Sequence, residues 1–158
     1  MTSFDRVCRS TLGALMALAL VISFATFARA QAGKLLDANT ASAEELAQLP
    51  GMSPEIAKGL VAARPFKTIV DLNKFLLDAK LSPAQTKEIY RKAFVPINLN
   101  TGTKEQFLLI PGVGPRMSGE FEEYRPWKTW AQFDKEIGKY VGQQETDRLK
   151  QYFFIPTS

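Results

Sequence analysis

The stretch Leu49-Pro50-Gly51-Met52-Ser53-Pro54 recurs 61 positions later as Ile110-Pro111-Gly112-Val113-Gly114-Pro115. Aligned without a gap, residues 39–68 and 100–129 share ten identities in thirty, and two prolines and one glycine of the repeated stretch are among them. Self-similarity at a fixed period is typical of a repeated structural unit. The sequence therefore predicts two tandem copies of one unit.

The first thirty residues differ in kind from the rest. Arg6 and Arg9 precede an uncharged, mostly apolar run over residues 12–27, which Ala28-Arg29-Ala30 follows. This order is typical of a secretory signal peptide. The run has 16 residues, whereas a spanning helix needs about 20, so we expect a cleaved leader, with an uncleaved membrane anchor as the alternative. A second small-residue site, Ala30-Gln31-Ala32, leaves two cleavage positions open.

The composition of the predicted mature chain excludes some kinds of covalent link and metal site. The single cysteine, Cys8, lies inside the predicted leader, and the chain has no histidine. Export would then bring no disulfide, and metal sites built on cysteine or histidine are excluded. Removal of residues 1–30 leaves 128 residues with 17 basic and 15 acidic side chains. A general basic surface is therefore not what would attract a polyanion.

Helix start signals fall at matching places in the two copies. Ser42-x-x-Glu45 and Thr103-x-x-Gln106 are capping boxes, and each opens a short helix that ends at the repeated Pro-Gly. Ser53 and Gly114 then act as N-caps before a proline at the first helical position. These signals predict a helix, a tight turn and a second helix in each copy.

Two more helices complete each predicted copy. The second helix is expected to end near Ala63 and Tyr124, because a residue before proline disfavours the helical conformation. Third helices open at Thr68-x-x-Asp71 and Thr129-x-x-Gln132, and fourth helices open after Ser82 and Gly142. No stretch alternates with the period of a strand. The predicted fold class is therefore all-α, with residues 1–30 as the signal peptide, 35–95 as the first copy and 96–156 as the second.

The two copies are expected to pack together. The connecting segment, residues 94–100, lacks the glycine and serine of a flexible tether. Four aligned apolar pairs are predicted to supply a small core: Phe66/Trp127, Ile56/Met117, Leu60/Phe121 and Leu72/Phe133.

The pattern in Phe107-x-x-Ile110-Pro111-Gly112-Val113-Gly114-Pro115 resembles a helix-hairpin-helix DNA-binding motif. Pro111 ends one helix, Gly112 can take a positive φ that turns the chain back, and Gly114 lets another molecule approach the backbone closely. Free N–H groups and the positive end of the next helix then point at one spot, where a phosphate oxygen fits without a basic side chain. Such contacts carry little sequence preference.

The same hairpin is also a good way to turn between two helices, so a purely structural role stays open. The two copies differ where a phosphate would sit. The first has Ser53 in the place of the second glycine and Glu55 in the first turn, whereas the second has Gly114 and Arg116. The second hairpin is therefore the stronger predicted phosphate contact. The candidate DNA-binding residues are Gly51, Met52 and Ser53 in the first copy and Gly112, Val113, Gly114 and Arg116 in the second.

A leader followed by the segments 37–51 (DANTASAEELAQLPG) and 64–68 (RPFKT) resembles the ComEA family of competence DNA receptors. The resemblance covers residues 36–94 and again 97–155. It implies a paired helix-hairpin-helix domain, of the SAM-like kind, that binds double-stranded DNA outside the cytoplasmic membrane during DNA uptake. The chain departs from that family where Lys80-Leu81-Ser82 and Tyr140-Val141-Gly142 replace a Gly-apolar-Gly loop, and the domain is doubled. The extrinsic photosystem II protein PsbU has a similar pattern and does not bind DNA.

The aromatic and acidic residues give weaker indications of function than the hairpin loops. Trp127, Trp130, Phe133 and Tyr140 could stack on bases, but aromatic residues at helical spacing more often form a core. The cluster Glu120-Glu122-Glu123 is interpreted as a solvated helix face rather than a cation site. The acidic residues Asp71, Asp78, Asp134 and Glu136 are too scattered for a nuclease metal site. With no nucleophile elbow and no nucleotide-binding phosphate loop, we expect a protein that is not an enzyme and has no cofactor.

The sequence therefore predicts an exported or periplasmic protein that binds double-stranded DNA weakly through hairpin loops. The alternative is a periplasmic structural or protein-interaction module that keeps the fold without DNA binding. Other exported proteins are further candidate partners, and the membrane is one only if the leader is not cleaved.

Overall fold

The computed structural model describes residues 34–156, so the predicted signal peptide lies outside the described residues. Within this range the chain is mostly helical. The helices are α1 (Ala43–Leu46), α2 (Pro54–Ala62), α3 (Ile69–Asp78), α4 (Pro83–Tyr90), α5 (Lys104–Leu108), α6 (Pro115–Glu123) and α7 (Trp130–Lys150). The strands are β1 (Leu36–Asp37), β2 (Ala93–Phe94), β3 (Ile97–Asn98) and β4 (Phe153–Phe154). The first half of this region thus runs from β1 to β2, and the second half runs from β3 to β4.

The predicted caps form as expected. The Ser42 hydroxyl accepts the N–H of Glu45 at 3.2 Å, and the Glu45 carboxylate accepts the N–H of Ser42 at 2.8 Å. Thr103 and Gln106 make the same reciprocal pair before α5. These bonds satisfy N–H groups that a helix start otherwise leaves without a partner. The predicted helix starts at residues 42 and 103 are confirmed.

The third and fourth helices predicted for the second copy both lie within α7 and are separated by a kink at Gly142. Helix α7 spans 21 residues, but Gly142 inside it has φ 77° and ψ 168°, which is not a helical conformation. The carbonyl oxygen of Gly142 accepts the Thr146 hydroxyl at 2.7 Å, so it belongs to the start of the last helical segment. The predicted N-cap at Gly142 therefore corresponds to a kink between two helical segments of α7.

The all-α prediction missed four short strands. β1 pairs in parallel with β2, with Leu36 opposite Ala93, and β3 pairs in parallel with β4, with Ile97 opposite Phe153. A two-residue strand cannot show a period-two alternation, and its partner lies at the far end of the same half. The local pattern therefore carried no signal for strands, and each half begins and ends on paired strands.

An asparagine ties the two ends of each hairpin region together. The Asn39 side chain donates to the carbonyl oxygen of Phe66 at 2.9 Å and accepts its N–H at 2.8 Å. The Asn100 side chain does the same with Trp127, at 2.8 and 2.6 Å. Both asparagines are among the ten identities, so the repeated residues make repeated contacts.

An arginine makes the second matching contact. Arg64 donates to the carbonyl oxygens of Ala38 and Ala41, and Arg125 donates to the carbonyl oxygens 61 positions later, those of Leu99 and Gly102. Each arginine is joined to the following proline by a cis peptide bond. Both guanidinium groups are therefore engaged with the backbone of their own half.

The two halves share one hydrophobic core, as expected from a connecting segment without the composition of a flexible tether. The rings of Phe94 and Tyr152 lie 4.9 Å apart between centroids, edge to face. The hydroxyl of Tyr152 donates to the carbonyl oxygen of Tyr90 at 3.1 Å, and the N–H of Leu35 donates to the Gln151 side chain at 3.0 Å. The expectation that the halves pack together is confirmed.

Most of the predicted core pairs are buried. Phe66, Trp127, Leu60, Phe121, Leu72 and Phe133 are buried, whereas Ile56 and Met117 are half-buried and pack against the core. None of the helices within residues 34–156 combines the length and the apolar character that crossing a membrane requires.

Candidate nucleic-acid interface

The second hairpin loop, residues 111–114, joins α5 to α6. The N–H of Val113 donates to the carbonyl oxygen of Ile110 at 3.0 Å, and Gly112 between them has φ +86°. Only glycine adopts this conformation without strain, which confirms the predicted role of Gly112. The Val113 side chain is buried and Gly112 is exposed. The turn therefore exposes the backbone of Gly112 to solvent, while the neighbouring Val113 side chain packs into the core.

Helix α6 begins at this loop with an open N-terminus. Gly114 is its N-cap, with φ −104° and ψ 177°, and no side chain caps the first turn. A Cβ added to Gly114 would meet no atom within 4 Å. Within the described residues, the N–H groups of Arg116 and Met117 make no hydrogen bond. These N–H groups and the positive end of the helix dipole therefore face open space, where an anion is favoured.

The first hairpin loop, residues 50–53, has the same turn and a different helix start. Gly51 has φ +77°, but Ser53 caps α2 with a hydroxyl that accepts the N–H of Ile56 at 3.3 Å. The hydrogen bond with Ser53 also lowers the pKa of Glu55, which lies in the first turn of α2. An N–H that would hold a phosphate is thus occupied, and a negative charge lies in the same turn.

Two of the candidate residues belong to the core. Met52 is 5% exposed and Val113 is 9% exposed. Their N–H groups donate to the carbonyl oxygens of Leu49 and Ile110. Neither residue has a free N–H or an exposed side chain for a phosphate, so both hold their loops in shape. Of the remaining candidates, Gly51, Gly112 and Arg116 are exposed, and Ser53 and Gly114 are partly exposed.

A residue that the sequence analysis missed contacts the second loop. Arg148, in the last turn of α7, donates from Nη2 to the carbonyl oxygen of Pro111 at 2.8 Å and is paired with Glu145. At the first loop the neighbouring side chain is Gln85, whose Nε2 would lie 3.0 Å from a Cβ on Gly51. When a one-residue deletion in the second half places Gly142 opposite Ser82, Gln85 aligns with Glu145 and the acidic Glu88 aligns with Arg148. That exchange of an acid for a base was the available signal.

The departure from the Gly-apolar-Gly loop in the first half, Lys80-Leu81-Ser82, keeps the turn. Lys80 has φ +69°, Leu81 is buried, and Ser82 caps α4 through a capping box with Gln85. The Lys80-Leu81-Ser82 segment therefore repeats the backbone of the first hairpin loop with a lysine in place of the glycine.

The four aromatic candidates for base stacking divide into two pairs. Trp127 and Phe133 are buried, as a core role predicts, whereas Trp130 and Tyr140 are exposed. The ring of Tyr140 lies 5.9 Å from the Arg116 guanidinium and 5.1 Å from the Lys139 ammonium. A hydrogen bond with the Tyr124 hydroxyl at 3.1 Å, together with desolvation, raises the pKa of Tyr140 to about 12. Two cations thus rest on the exposed ring that stacking would need.

The scattered acidic residues have structural partners. Asp71 completes the capping box of α3, and Asp78 pairs with Lys74 at 2.7 Å. Asp134 pairs with Lys150, and Glu136 pairs with Lys139 at 2.8 Å. Across residues 34–156, no three acidic, cysteine or histidine side chains come together as a metal site. Glu122 and Glu123 are exposed and Glu120 is partly exposed, which fits a solvated helix face.

Comparison with known proteins identifies the class of motif. Residues 31–84 match the family model of the helix-hairpin-helix motif. The matched segment contains the first hairpin loop and ends at the start of α4. This motif is typical of DNA binding without sequence specificity, so DNA is the kind of partner that it indicates. Searches of the curated proteins and of the solved structures returned no match.

Proposed function

We propose that this chain is an exported protein that binds double-stranded DNA without sequence preference and holds a backbone phosphate at the second hairpin loop. The observation that carries the proposal is the open N-terminus of α6. There Gly114 leaves the N–H groups of the first turn uncapped, and Arg116 is exposed beside them. The match of residues 31–84 to a motif typical of DNA binding supports the choice of ligand.

The chemistry of the loop accounts for weak binding without sequence preference. Backbone N–H groups at a helix start bind a phosphate oxygen by hydrogen bonds and by the helix dipole. Contacts to phosphate fix position on a duplex and carry no direct information on sequence. A near-neutral chain can therefore bind DNA at a few points, with little of the long-range attraction that a basic surface would add.

We infer that the second half is another copy of the motif. The asparagine and arginine contacts that lie 61 positions apart support this, as do the positive φ values of Gly51 and Gly112. Each half would then be one paired helix-hairpin-helix domain.

Export and DNA uptake rest on sequence features alone. The predicted leader supports export, and the resemblance to ComEA supports a place in DNA uptake, where the protein would act by binding rather than by catalysis. Mass spectrometry of the exported protein tests the leader. We expect a soluble chain cut after Ala30 or Ala32, whereas an intact N-terminus in the membrane fraction would establish an anchor instead.

Fluorescence anisotropy with labelled duplexes of unrelated sequence tests the function. We expect similar Kd values of about 10⁻⁴–10⁻⁶ M, the range of non-specific contacts, and a loss of affinity as salt rises. Absence of binding at low ionic strength would favour the structural or protein-interaction module. A thousandfold preference for one sequence would contradict the phosphate-based mechanism.

A further inference from the structure

Arg148 reaches from the end of α7 back to the second hairpin loop. Its Nη2 donates to the carbonyl oxygen of Pro111 at 2.8 Å, across 37 residues of chain. The same nitrogen would lie 3.4 Å from a Cβ placed on Gly112. The guanidinium group is thus in direct contact with the part of the loop that turns the chain.

Other contacts hold this guanidinium in place. Its Nε and Nη2 donate to the two carboxylate oxygens of Glu145 at 2.7 and 2.6 Å. It also lies 5.4 Å from the ring centroid of Tyr152, whose hydroxyl donates to the first half at Tyr90. Arginine suits this position because its planar fork bonds a carboxylate with two donors and stacks on a ring, which lysine cannot do. Arg148 therefore links the loop to the boundary between the halves.

The bond to Pro111 has a consequence for Gly112. A peptide unit is planar and trans, so its N–H points away from its carbonyl oxygen. Because Arg148 holds the Pro111 oxygen on the protein side, the N–H of the same unit, which belongs to Gly112, is directed to the opposite side. Gly112 is exposed, and that side faces solvent.

Among residues 34–156, no cationic side chain contacts the first hairpin loop in this way. The residue aligned with Arg148 is Glu88, which is exposed and pairs with Arg91 at 3.3 Å instead of contacting the loop. The amide of Gln85 lies against Gly51. The two loops therefore share a turn and differ in what supports it.

We propose that Arg148 is a positioning residue, which orients the second hairpin loop so that its N–H groups are ready to receive a phosphate. This inference rests on the proposed function for the identity of the ligand. On this inference, the expected difference in phosphate binding between the two loops comes from the side chains packed against each loop as well as from the residues at the helix starts. Groups held in a binding geometry beforehand lose less entropy when the ligand arrives.

The test compares Arg148→Lys and Arg148→Gln with Arg91→Gln as the matched control in the first half. Two readouts are needed in the full chain. The amide signals of Gly51 and Gly112 in the NMR spectrum without DNA report loop conformation, and duplex titrations at several salt concentrations report binding. Melting temperatures identify variants that fail to fold. Arg148→Lys keeps the charge and most of the alkyl stem, so it carries the comparison if the glutamine variant unfolds.

We expect both Arg148 variants to shift or broaden the Gly112 signal and leave that of Gly51 in place. Their DNA affinity should fall roughly tenfold, the scale of a lost hydrogen bond to a charged group, with the salt dependence nearly unchanged. Arg91→Gln should change neither readout. A lysine variant that binds like the wild type would overturn the proposal, as would an unchanged Gly112 signal in the glutamine variant. A salt slope lowered by about one would also overturn it, because it identifies a direct phosphate ligand.

The two readouts distinguish a failure of the proposed function from a failure of the positioning role. A wild-type chain that binds no duplex refutes the proposed function, while the Gly112 signal still decides whether Arg148 orients the loop. A wild type that binds DNA, together with Arg148 variants that bind equally well, refutes only the positioning role.

Discussion

The two hairpin loops make nearly the same turn but lead into helices whose N-termini differ. Both have a glycine with positive φ, at Gly51 and Gly112, followed by a buried apolar residue. At the first loop, a serine side chain caps the next helix. At the second loop, Gly114 leaves the next helix uncapped. The positive-φ turn is therefore common to both loops, whereas the uncapped helix start belongs only to the second.

The two helix starts also differ in the charge of a side chain in the first turn. Glu55 lies in the first turn after one loop and Arg116 lies in the first turn after the other. An anion at a helix start is favoured by the dipole, so Glu55 already supplies at the first loop what a phosphate would supply at the second. A match to the helix-hairpin-helix motif therefore indicates the fold of the loop, and we expect the residues at the helix start to determine whether the loop binds a phosphate.

The largest expected effect comes from placing a carboxylate at the open helix start. In Gly114→Asp, the new side chain lies where a phosphate oxygen would sit. Two like charges about 4 Å apart repel by about 4 kcal/mol near a protein surface, and salt reduces this, so we expect DNA affinity to fall roughly a hundredfold. The φ of −104° at Gly114 suits any residue and aspartate is a good N-cap, so the fold should survive.

Ser53→Asp is the matched control for that change. It adds the same charge at the first loop, where a capping oxygen is already present, and we expect less than a threefold loss in an anisotropy titration, within the scatter of surface effects. Normal melting of both variants with DNA binding equal to the wild type would end the phosphate role of the second loop.

The next effect concerns stability and the scaffold. Arg125 donates to the carbonyl oxygen of Gly102, and a Cβ on Gly102 would overlap the Ile97 side chain and lie 2.9 Å from the Asn98 carbonyl oxygen. Gly102→Ala should therefore destabilise the protein by about 2 kcal/mol, as overpacking does, and lower the Tm by several degrees. The first half has Ala41 at this position, so the two halves pack differently there. A thermal melt of Gly102→Ala that matches the wild type would contradict this.

The hairpins could be predicted from sequence because their signals are local. A proline, a glycine and a capping side chain act within a few residues of one another, and the caps at Ser42 and Thr103 form as predicted. Strand β1 depends on pairing with residues at the far end of its half. The roles of Arg64 and Arg148 depend on carbonyl oxygens 26 and 37 residues away. No pattern within a few residues indicates which distant carbonyl oxygen an arginine will contact.

The candidate site was predicted in part for the same reason. Gly112 and Gly114 stand out by spacing, and the structure gives them the turn and the open helix start that the spacing implies. Met52 and Val113 lie between the same signals but point inward. The direction of these two side chains follows from the hairpin as a whole. A motif of consecutive residues does not distinguish those that would contact a ligand from those that hold the loop in shape.

A smaller effect should follow from the exposed arginine at the second loop. Arg116→Gln removes one positive charge near the bound phosphate and leaves the N–H groups intact. We expect a roughly threefold weaker Kd and a decrease of about one in the slope of log K against log salt, as for one lost phosphate contact. Titrations at four salt concentrations measure both. An unchanged slope would show that Arg116 stays on the ring of Tyr140 when DNA is bound.

The smallest expected effect tests whether the first loop is a blocked phosphate site. Glu55→Gln removes the negative charge from the start of α2, but the Ser53 hydroxyl still occupies the N–H of Ile56. We therefore expect DNA affinity to rise less than twofold, within the limit of small surface electrostatic effects. A tenfold gain would mean that charge alone kept DNA away, and the contrast between the loops would then rest on Glu55.

The same substitution has a pH dependence of known sign. Hydrogen bonding to Ser53 lowers the folded-state pKa of Glu55 below its usual 4.5. A lowered pKa stabilises the fold above the unfolded-state value, and that stability is lost as the pH falls through the folded-state value. Urea melts should therefore show wild type more stable than Glu55→Gln at pH 7, with the difference shrinking at pH 3. A difference that grows on acidification would show that the carboxylate destabilises the helix start, and the first loop would then lack an anion that it favours.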